Sequence, residues 1–333
     1  MILKLTQIPE QASIPSTFKQ AQLYALPVIM RSYLSICFVL AGIVLMSFVE
    51  VRRAQQAKMW RPVVIMHGLN GNAQEFHDIV NALEEAYPGI YVHVLNILNG
   101  NKSQFTNMKT QMQIIRETIS SDPKLKDGFN FYGESQGALE ARVYVSKFSD
   151  FPVYNLIALN GPQAGVGECA KIERPPFGQI CANLATLLQI YDWPFCSFCN
   201  YWKDNRDKIK YEKHSKWLAE INNEDGIYGS INQTYVKNME SLNQYIVVRA
   251  TKDKIVQPSY SAFHQYWEWG DRNRSKITDL NETEGYKNNW LGLKTLNERG
   301  DYIMKEFDGE HVSYSMQWWR ANILPFFNNT LKD

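Results

Sequence analysis

The sequence has no excess of charge of either sign. Its 333 residues include 35 lysines and arginines and 34 aspartates and glutamates, which gives a formal net charge of +1 at pH 7. The basic residues are scattered, so the chain lacks the electrostatic footprint of a nucleic-acid-binding protein, and no nucleic-acid partner is predicted. With 45% hydrophobic and 21% charged residues, the composition is that of an ordinary globular protein and does not suggest a disordered or repeat protein. The length predicts one large domain, or a core domain that carries an inserted subdomain.

Cysteine is scarce, with five residues in the chain. Cys37 lies in an apolar stretch near the N-terminus, and the other four lie close together in sequence, at Cys169, Cys181, Cys196 and Cys199. An even number of neighbouring cysteines in an oxidising compartment predicts two disulfides, for which three connectivities are possible. We favour the pairs Cys169–Cys181 and Cys196–Cys199. A zinc site is not predicted, because neither a second CxxC motif nor a pair of histidines lies near these cysteines.

The N-terminal part contains an apolar stretch of 17 residues, 33–49, which is at the short end of what can span a bilayer. Arg31 precedes the stretch, and Arg52 and Arg53 follow it. A positive charge ahead of an apolar run is typical of a secretory signal, but no clear pattern of small residues marks a cleavage site. Residues 1–57 are therefore predicted to be an extension with either a cleaved signal peptide or an uncleaved signal anchor. The rest of the chain is expected to enter the secretory lumen, and membrane contact is predicted only through this anchor.

Five Asn-x-Ser/Thr sequons are consistent with entry into the lumen, where such sites are glycosylated. The candidate asparagines are Asn101, Asn232, Asn273, Asn281 and Asn328. Because an asparagine-rich chain contains some sequons by chance, these positions are only supporting evidence for the luminal prediction.

Beyond the extension, strand and helix patterns alternate along the chain. Short apolar runs predict strands, and apolar residues at helical spacing predict amphipathic helices between them. The predicted strands lie near residues 62–66, 91–95, 129–132, 153–159, 245–249 and 302–307. Alternation of this kind predicts a mostly parallel central sheet flanked by helices. The alternation breaks between 162 and 243, which predicts that the domain at 58–330 carries this segment as an inserted cap region.

The third predicted strand runs into Gly133-Glu134-Ser135-Gln136-Gly137, and a helix pattern follows. This is the G-x-S-x-G motif in the strand–turn–helix context that a nucleophile elbow requires. The turn brings the helix backbone against the strand, which leaves room only for glycine at the two flanking positions. The motif predicts an α/β-hydrolase fold with Ser135 as its nucleophile.

A serine nucleophile needs a histidine base and a carboxylate that orients the base. In α/β-hydrolases these partners follow the serine in the order acid, then histidine. His311 lies after a late strand and before the last helix, where the base belongs. His214 lies in the inserted region and would violate the order, and His264 is interpreted as a packing or surface residue. Asp253 follows the fifth predicted strand and is predicted to be the acid, with a simple turn residue as the alternative.

The oxyanion of a tetrahedral intermediate needs backbone N–H donors. One donor is predicted to be the amide of Gln136, the residue after the nucleophile. The other is predicted to be the amide of Leu69, because the His67-Gly68 pair after the first strand lets the backbone turn towards Ser135. His67 itself is interpreted as structural. This chemistry requires no metal or cofactor, and none is predicted.

The chain resembles the palmitoyl-protein thioesterase family, and the likeness extends over about residues 62–327. The segments that carry it are 64–69, 88–92, 133–137, 199–202, 217–222 and 309–311. Segments 199–202 and 292–296 look more like the type-2 lysosomal branch. The elbow alone is shared by many unrelated esterases, so the specificity of the resemblance comes from the whole set of motifs.

The resemblance implies hydrolysis of long-chain fatty acyl thioesters in the lysosome, with the acyl chain in an apolar groove beneath the inserted region. It also implies a glycosylated, disulfide-bearing luminal protein, and it assigns the triad to Ser135, Asp253 and His311. The expected partner is a fatty acyl thioester, carried by an S-acylated protein or by coenzyme A. The N-terminal extension is longer than is usual in the family, and the family's other cysteine positions are only partly filled.

Two other functions share some of these features. A lipase or carboxylesterase acting on oxyesters would have the same elbow and triad, and only relative activity on matched thioesters and oxyesters separates the two. A catalytically inactive hydrolase fold used for binding is the alternative from a different class, but such a scaffold has no need of an intact serine, aspartate and histidine. The acyl carrier and the chain length are left open by the sequence.

Overall fold

The apolar runs form one six-stranded parallel sheet in a computed structural model of the chain, which describes residues 59–168, 190–224 and 229–332. The strands are β1 (Val63–Met66), β2 (Val92–Val94), β3 (Phe129–Glu134), β4 (Val153–Leu159), β5 (Gln244–Ala250), β6 (Tyr266–Trp267), β7 (Ile277–Thr278) and β8 (Tyr302–Phe307). The strand order is β2-β1-β3-β4-β5-β8, and each neighbouring pair is parallel. Strands β6 and β7 form a separate antiparallel pair.

Helices lie between successive strands, as the sequence pattern predicts. Within the described ranges, the α-helices are α1 (His77–Ala86), α2 (Asn101–Phe105), α3 (Met108–Ser120), α4 (Gln136–Val143), α5 (Ser197–Asn200), α6 (Lys208–His214), α7 (Trp217–Ile221), α8 (Gln233–Glu240), α9 (Glu284–Lys287), α10 (Leu293–Glu298) and α11 (Met316–Asn322). This arrangement is an α/β fold with a parallel central sheet.

The central strands β1, β3, β4 and β5 are buried on both faces, which explains why they are mostly apolar, whereas the edge strand β8 is half exposed. In β1, Val63 and Ile65 pack in one core with residues of α1 and α11, whereas Val64 and Met66 pack in the other with residues of α3 and α4. A strand covered on both sides has a continuous apolar run instead of an alternating pattern. The sheet and both cores lie within one compact unit, Met59–Asp333. Because both cores lie in this unit, we expect it to fold without residues 1–58.

The carboxyl ends of parallel strands lie along one edge of a sheet, which is where functional residues of open α/β sheets gather. Strands β5 and β8 are neighbours, and their following loops are tied together by backbone hydrogen bonds. The Thr251 N–H donates to the Phe307 oxygen at 3.0 Å, and the Lys252 N–H donates to the Gly309 oxygen at 2.9 Å. Residues that follow these two strands are therefore held side by side.

The long connection from β4 to β5 contains the predicted inserted region, and its described residues include helices α5 to α8. Arg142, fully buried in α4, joins this connection to the core. Its guanidinium donates to Gln163 Oε1 at 2.8 Å and to the Ile221 oxygen at 2.8 Å. A third bond reaches Asn222 Oδ1 at 2.9 Å. The domain limits 58–330 and the limits of the inserted region remain predictions.

Cys196 and Cys199 form a disulfide, which is one of the two favoured pairs. The other favoured pair, Cys169–Cys181, lies outside the described residues, as do Cys37 and the apolar stretch 33–49. In the part of the chain that the structure describes, no helix combines the length and the apolar character needed to cross a membrane.

Candidate active site

Ser135 lies in a sharp turn between β3 and α4. Its backbone has φ 53° and ψ −124°, a strained conformation for a residue with a side chain. A Cβ on Gly133 would lie 2.4 Å from the Gly137 carbonyl oxygen, and a Cβ on Gly137 would lie 2.4 Å from the His67 carbonyl oxygen. Backbone atoms cannot be approached so closely, so both motif positions require glycine. The turn therefore has the geometry of a nucleophile elbow.

The structure brings Ser135, His311 and Asp253 together in one hydrogen-bonded chain. The His311 Nε2 atom lies 2.8 Å from Ser135 Oγ, and His311 Nδ1 lies 2.7 Å from Asp253 Oδ2. The side chains of His311 and Asp253 are 14% and 1% exposed, so water has little access to this pair. With Nδ1–H donating to the carboxylate, a neutral imidazole can accept the serine proton at Nε2.

Asp253 is held in place by the turn that it begins. Its Oδ1 atom accepts the backbone N–H groups of Ile255 and Val256 at 2.8 and 3.0 Å. The other oxygen, Oδ2, is left to accept from His311. Asp253 is thus a turn residue and the partner of the histidine at the same time, and the two interpretations made from sequence are compatible.

The predicted oxyanion donors lie on two segments that meet at Ser135. Gln136 is the first residue of α4, and backbone N–H groups in the first turn of a helix have no acceptor within the helix. Leu69 follows Gly68, where a Cβ would lie 2.7 Å from the Ser135 Cβ. The loop after β1 therefore passes directly beside the nucleophile, and glycine at position 68 makes room for it.

The other histidines weighed from sequence have different surroundings. His67 is buried, and each ring nitrogen lies 2.8 Å from a backbone carbonyl oxygen, which fits a structural role. His264 Nε2 lies 3.0 Å from the Tyr245 hydroxyl, and burial lowers the pKa of His264 well below its usual value. His214 stacks against a tyrosine ring in the β4–β5 connection. None of the three contacts Ser135 through a hydrogen bond among the described residues.

Glu134, next to the nucleophile, has two tyrosine partners that sequence reasoning missed. Its Oε1 atom accepts from the hydroxyls of Tyr132 and Tyr314, each at 2.5 Å. Burial raises the pKa of Glu134, and the two hydrogen bonds act in the opposite direction. Tyr314 lies three residues after His311, so this cluster connects the elbow to the loop that carries the histidine.

The Gln136 side chain is held in a buried polar network behind the elbow. It donates to Gln111 Oε1 at 3.1 Å and to Glu140 Oε1 at 3.3 Å. It also accepts from the Tyr201 hydroxyl at 3.0 Å. These partners come from α3, α4 and the β4–β5 connection, so three parts of the fold fix the residue whose amide is predicted to bind the oxyanion.

The same network extends to the loop of Leu69. Gln111 Nε2 donates to the Ser103 carbonyl oxygen at 2.8 Å, and the Asn70 N–H donates to Ser103 Oγ at 2.7 Å. Glu140 is fully buried, and burial raises its pKa to about 8, against the opposite effect of its hydrogen bond from Gln136. Both predicted oxyanion segments therefore belong to one polar cluster.

A cavity of about 310 Å³ lies between the β4–β5 connection and residues 264–293. Its wall includes the aromatic side chains of Tyr211, Tyr266, Trp267, Trp269, Tyr286 and Trp290. Lys203 and Glu224, which approach to 3.8 Å, add a charged pair. Gln163 also lines the cavity, and its Nε2 atom donates to the Ala138 oxygen in α4 at 3.1 Å. The cavity therefore adjoins the helix that begins beside Ser135.

The sequon asparagines lie at the surface. Asn101, Asn232, Asn273, Asn281 and Asn328 are all exposed. Because glycosylation requires an accessible side chain, the fold leaves all five candidate sites open to it.

Known proteins resemble this chain over most of the domain. A family model described as palmitoyl protein thioesterase matches residues 62–311. Palmitoyl-protein thioesterase 3 of Dictyostelium discoideum is 35% identical over 72% of this chain and 80% of that protein. Palmitoyl-protein thioesterase 1 of Caenorhabditis elegans is 30% identical over 75% of this chain and 86% of that protein. Lysosomal thioesterase PPT2 of Homo sapiens is 27% identical over 79% of this chain and 84% of that protein.

The matched region runs from β1 to the loop after β8, so it contains the whole parallel sheet and all three residues of the hydrogen-bonded chain. The resemblance inferred from the motifs is confirmed at the level of the family. The relatives with type-3 and type-1 names are 35% and 30% identical and the human type-2 relative is 27% identical, so these identities do not favour the type-2 branch, and that placement remains a prediction. The chain belongs to the palmitoyl-protein thioesterase family, and it is a thioesterase-like hydrolase with the α/β-hydrolase fold.

Proposed function

We propose that this protein hydrolyses long-chain fatty acyl thioesters through a triad of Ser135, His311 and Asp253. The observation that carries the proposal is the unbroken hydrogen-bonded chain from the Asp253 carboxylate through the imidazole to Ser135 Oγ, with distances of 2.7 and 2.8 Å. Membership of the thioesterase family supports the choice of a thioester as the substrate.

In the first half-reaction, Ser135 Oγ attacks the acyl carbonyl carbon while His311 Nε2 takes the hydroxyl proton. Asp253 keeps Nδ1 protonated and stabilises the imidazolium that forms. The carbon–sulfur bond then breaks, its electron pair leaves with the sulfur, and the His311 imidazolium gives up its proton to the departing thiolate, which leaves His311 neutral for the second half-reaction. Because a thiolate is a good leaving group, this step depends less on a proton from His311 than the cleavage of an amide does.

In the second half-reaction, water attacks the acyl-serine ester and His311 again takes the proton. The carbon–oxygen bond to Ser135 breaks, the serine oxygen regains a proton from the imidazolium, and the fatty acid is released. In both halves the amides of Gln136 and Leu69 donate to the oxyanion. The buried network that joins these two segments would keep the donors in place before the substrate arrives.

We place the acyl chain in the aromatic cavity beside α4. Its aromatic rings offer apolar surface to a hydrocarbon chain, and Gln163 in its wall hydrogen-bonds to Ala138 of α4, although Ser135, Asp253 and His311 are not among its lining residues. Lys203 and Glu224 form a charged pair in the same wall. Because a hydrocarbon chain is not favoured beside charges, the acyl chain would lie along the aromatic rings instead.

The lysosome or secretory lumen is the proposed location. The Cys196–Cys199 disulfide and the five exposed sequons are consistent with an oxidising lumen. Relatives such as the human protein are named as lysosomal thioesterases. The proposed substrate is an S-acylated protein or a fatty acyl-coenzyme A.

The test is hydrolysis of palmitoyl-coenzyme A by the unit Met59–Asp333 between pH 4.5 and 7.5, beside its Ser135→Ala variant. Turnover that is lost in the variant would support the proposal. A matched palmitoyl oxyester is assayed in parallel, and a clear preference for it would favour an oxyesterase instead. A fluorophosphonate probe should label the parent and not the variant; absence of labelling and of turnover in the parent would refute catalysis altogether.

A further inference from the structure

Three large aromatic side chains are exposed on two neighbouring segments. Phe105, Trp193 and Phe195 are 57%, 42% and 76% exposed, and together they form what we call the aromatic face. Helix α2 ends at Phe105 and packs against α5, which begins two residues after Phe195. The Asn107 side chain donates to the Pro194 oxygen at 3.4 Å. Single exposed apolar residues are ordinary, but a group of three on adjoining segments indicates an interaction surface.

The charged residues within the two segments that carry the aromatic face are of one sign. Segments 101–110 and 193–203 contain lysines and no aspartate or glutamate. Lys102 and Lys109 are exposed, and neither forms an ion pair with a residue in the described ranges. The nearest acid in sequence, Asp192, accepts the backbone N–H groups of residues 216 and 217. Exposed aromatic rings beside unpaired lysines match the chemistry of an anionic membrane surface.

The aromatic face adjoins the candidate active site. Ser103 in α2 accepts the N–H of Asn70, next to Leu69, and Tyr201 just after α5 donates to the Gln136 side chain. The two segments that carry the face are thus hydrogen-bonded to the two segments that carry the proposed oxyanion donors. A bilayer in contact with the face would lie beside the site.

We propose that the aromatic face docks on anionic lipid bilayers. The rings of Phe105, Trp193 and Phe195 enter the boundary between headgroups and acyl chains, and Lys102 and Lys109 lie at the level of the lipid phosphates. The inference rests on the proposed function, because the acyl chains of S-acylated proteins reside in membranes and docking lets a chain reach the site without crossing water. It also differs from the sequence-based expectation that only an N-terminal anchor touches a membrane.

The test is sedimentation of the unit Met59–Asp333 with vesicles of phosphatidylcholine alone or with phosphatidylglycerol added. The Ser135→Ala form is used so that binding is separate from turnover, and N-linked glycans are removed because Asn101 begins α2. The double variant Phe105→Ser/Phe195→Ser should bind the anionic vesicles at least tenfold more weakly, since burial of one phenylalanine is worth about a factor of ten. The pair Lys102→Gln/Lys109→Gln should lose binding to the anionic vesicles and the dependence on salt.

The matched control is Met304→Ser, which removes a side chain 47% exposed on the edge strand β8, at the far end of the sheet. It should bind vesicles like the parent. Equal binding by the double phenylalanine variant and the parent, or no vesicle binding by the parent, would overturn the docking proposal. Hydrolysis of a soluble short-chain thioester by the Ser135 form is measured separately: vesicle binding without turnover would count against the proposed function alone, and turnover without vesicle binding would count against docking alone.

Discussion

Replacing Glu140 with glutamine is expected to stabilise the domain at neutral pH and to change little in acid. Burial raises the pKa of the Glu140 carboxyl from 4.5 to about 8. Between these values the unfolded chain releases the proton and the folded protein keeps it, so the folded state binds more protons and the free energy of unfolding falls as the pH rises. The loss is about 1.4 kcal/mol for each pH unit, or about 4 kcal/mol between pH 4.5 and 7.5. Glutamine has nearly the shape of the neutral acid and cannot ionise. The unfolding free energy of the variant should therefore lack this decrease between pH 4.5 and 7.5.

The assay is urea unfolding of the unit Met59–Asp333 at pH 4.5, 5.5, 6.5 and 7.5, for the parent and for Glu140→Gln. The difference in unfolding free energy should be small at pH 4.5 and should grow steadily to pH 7.5 in favour of the variant. Glu84→Gln, on the exposed side of α1, makes the same change of charge and should show no such growth. A difference between parent and Glu140→Gln that is the same at every pH would refute the reasoning, because Glu140 would then ionise equally in both states.

Three further predictions concern the elbow, the triad and the cavity. Asp253→Asn should lower kcat about 10⁴-fold on palmitoyl-coenzyme A, because the imidazole loses the partner that sets its tautomer, and a loss below tenfold would argue against the triad. Gly137→Ala should destabilise the unit by about 3 kcal/mol in thermal unfolding, because its Cβ would lie 2.4 Å from the His67 oxygen, and an unchanged Tm would contradict this geometry. Ala164→Trp, in the cavity wall, should lower kcat/KM for palmitoyl thioesters about tenfold relative to butyryl thioesters, whereas an equal effect on both chain lengths would place the acyl chain elsewhere.

The sheet and the hydrogen-bonded chain of the site could be predicted because local rules determine them. Strand β1 is apolar on both faces and β3 is mostly apolar, and the two motif glycines are required because any nucleophile elbow brings backbone atoms too close for a side chain. The order of acid and histidine then selected Asp253 and His311, since loops after parallel strands meet at one edge. Each of these steps needs only the residues of one segment and the general topology.

The polar network behind the elbow could not be predicted in this way. Glu140 and Arg142 lie in α4, a short helix that is buried on every side, and amphipathic patterning places charged residues on an exposed face. The partners of several elbow residues come from distant parts of the chain: Tyr201 lies 65 residues beyond Gln136, and Tyr314 lies 180 residues beyond Glu134. Only the assembled fold brings these polar groups together, and among the described residues it leaves Glu140 Oε2 without a hydrogen-bond partner.

Arg142 holds described residues of the β4–β5 connection against α4. Burial lowers its pKa to about 10, so the guanidinium stays charged at physiological pH, and its hydrogen bonds run to Gln163 at the start of the β4–β5 connection and to Ile221 and Asn222 further along it. Lifting that connection from α4 would leave a buried charge without partners, which costs about 3–5 kcal/mol. The Tyr201 bond to Gln136 would break in the same movement, and the proposed oxyanion donor would lose its support. The described residues that Arg142 and Tyr201 hold against α4 are therefore expected to stay in place when a substrate binds.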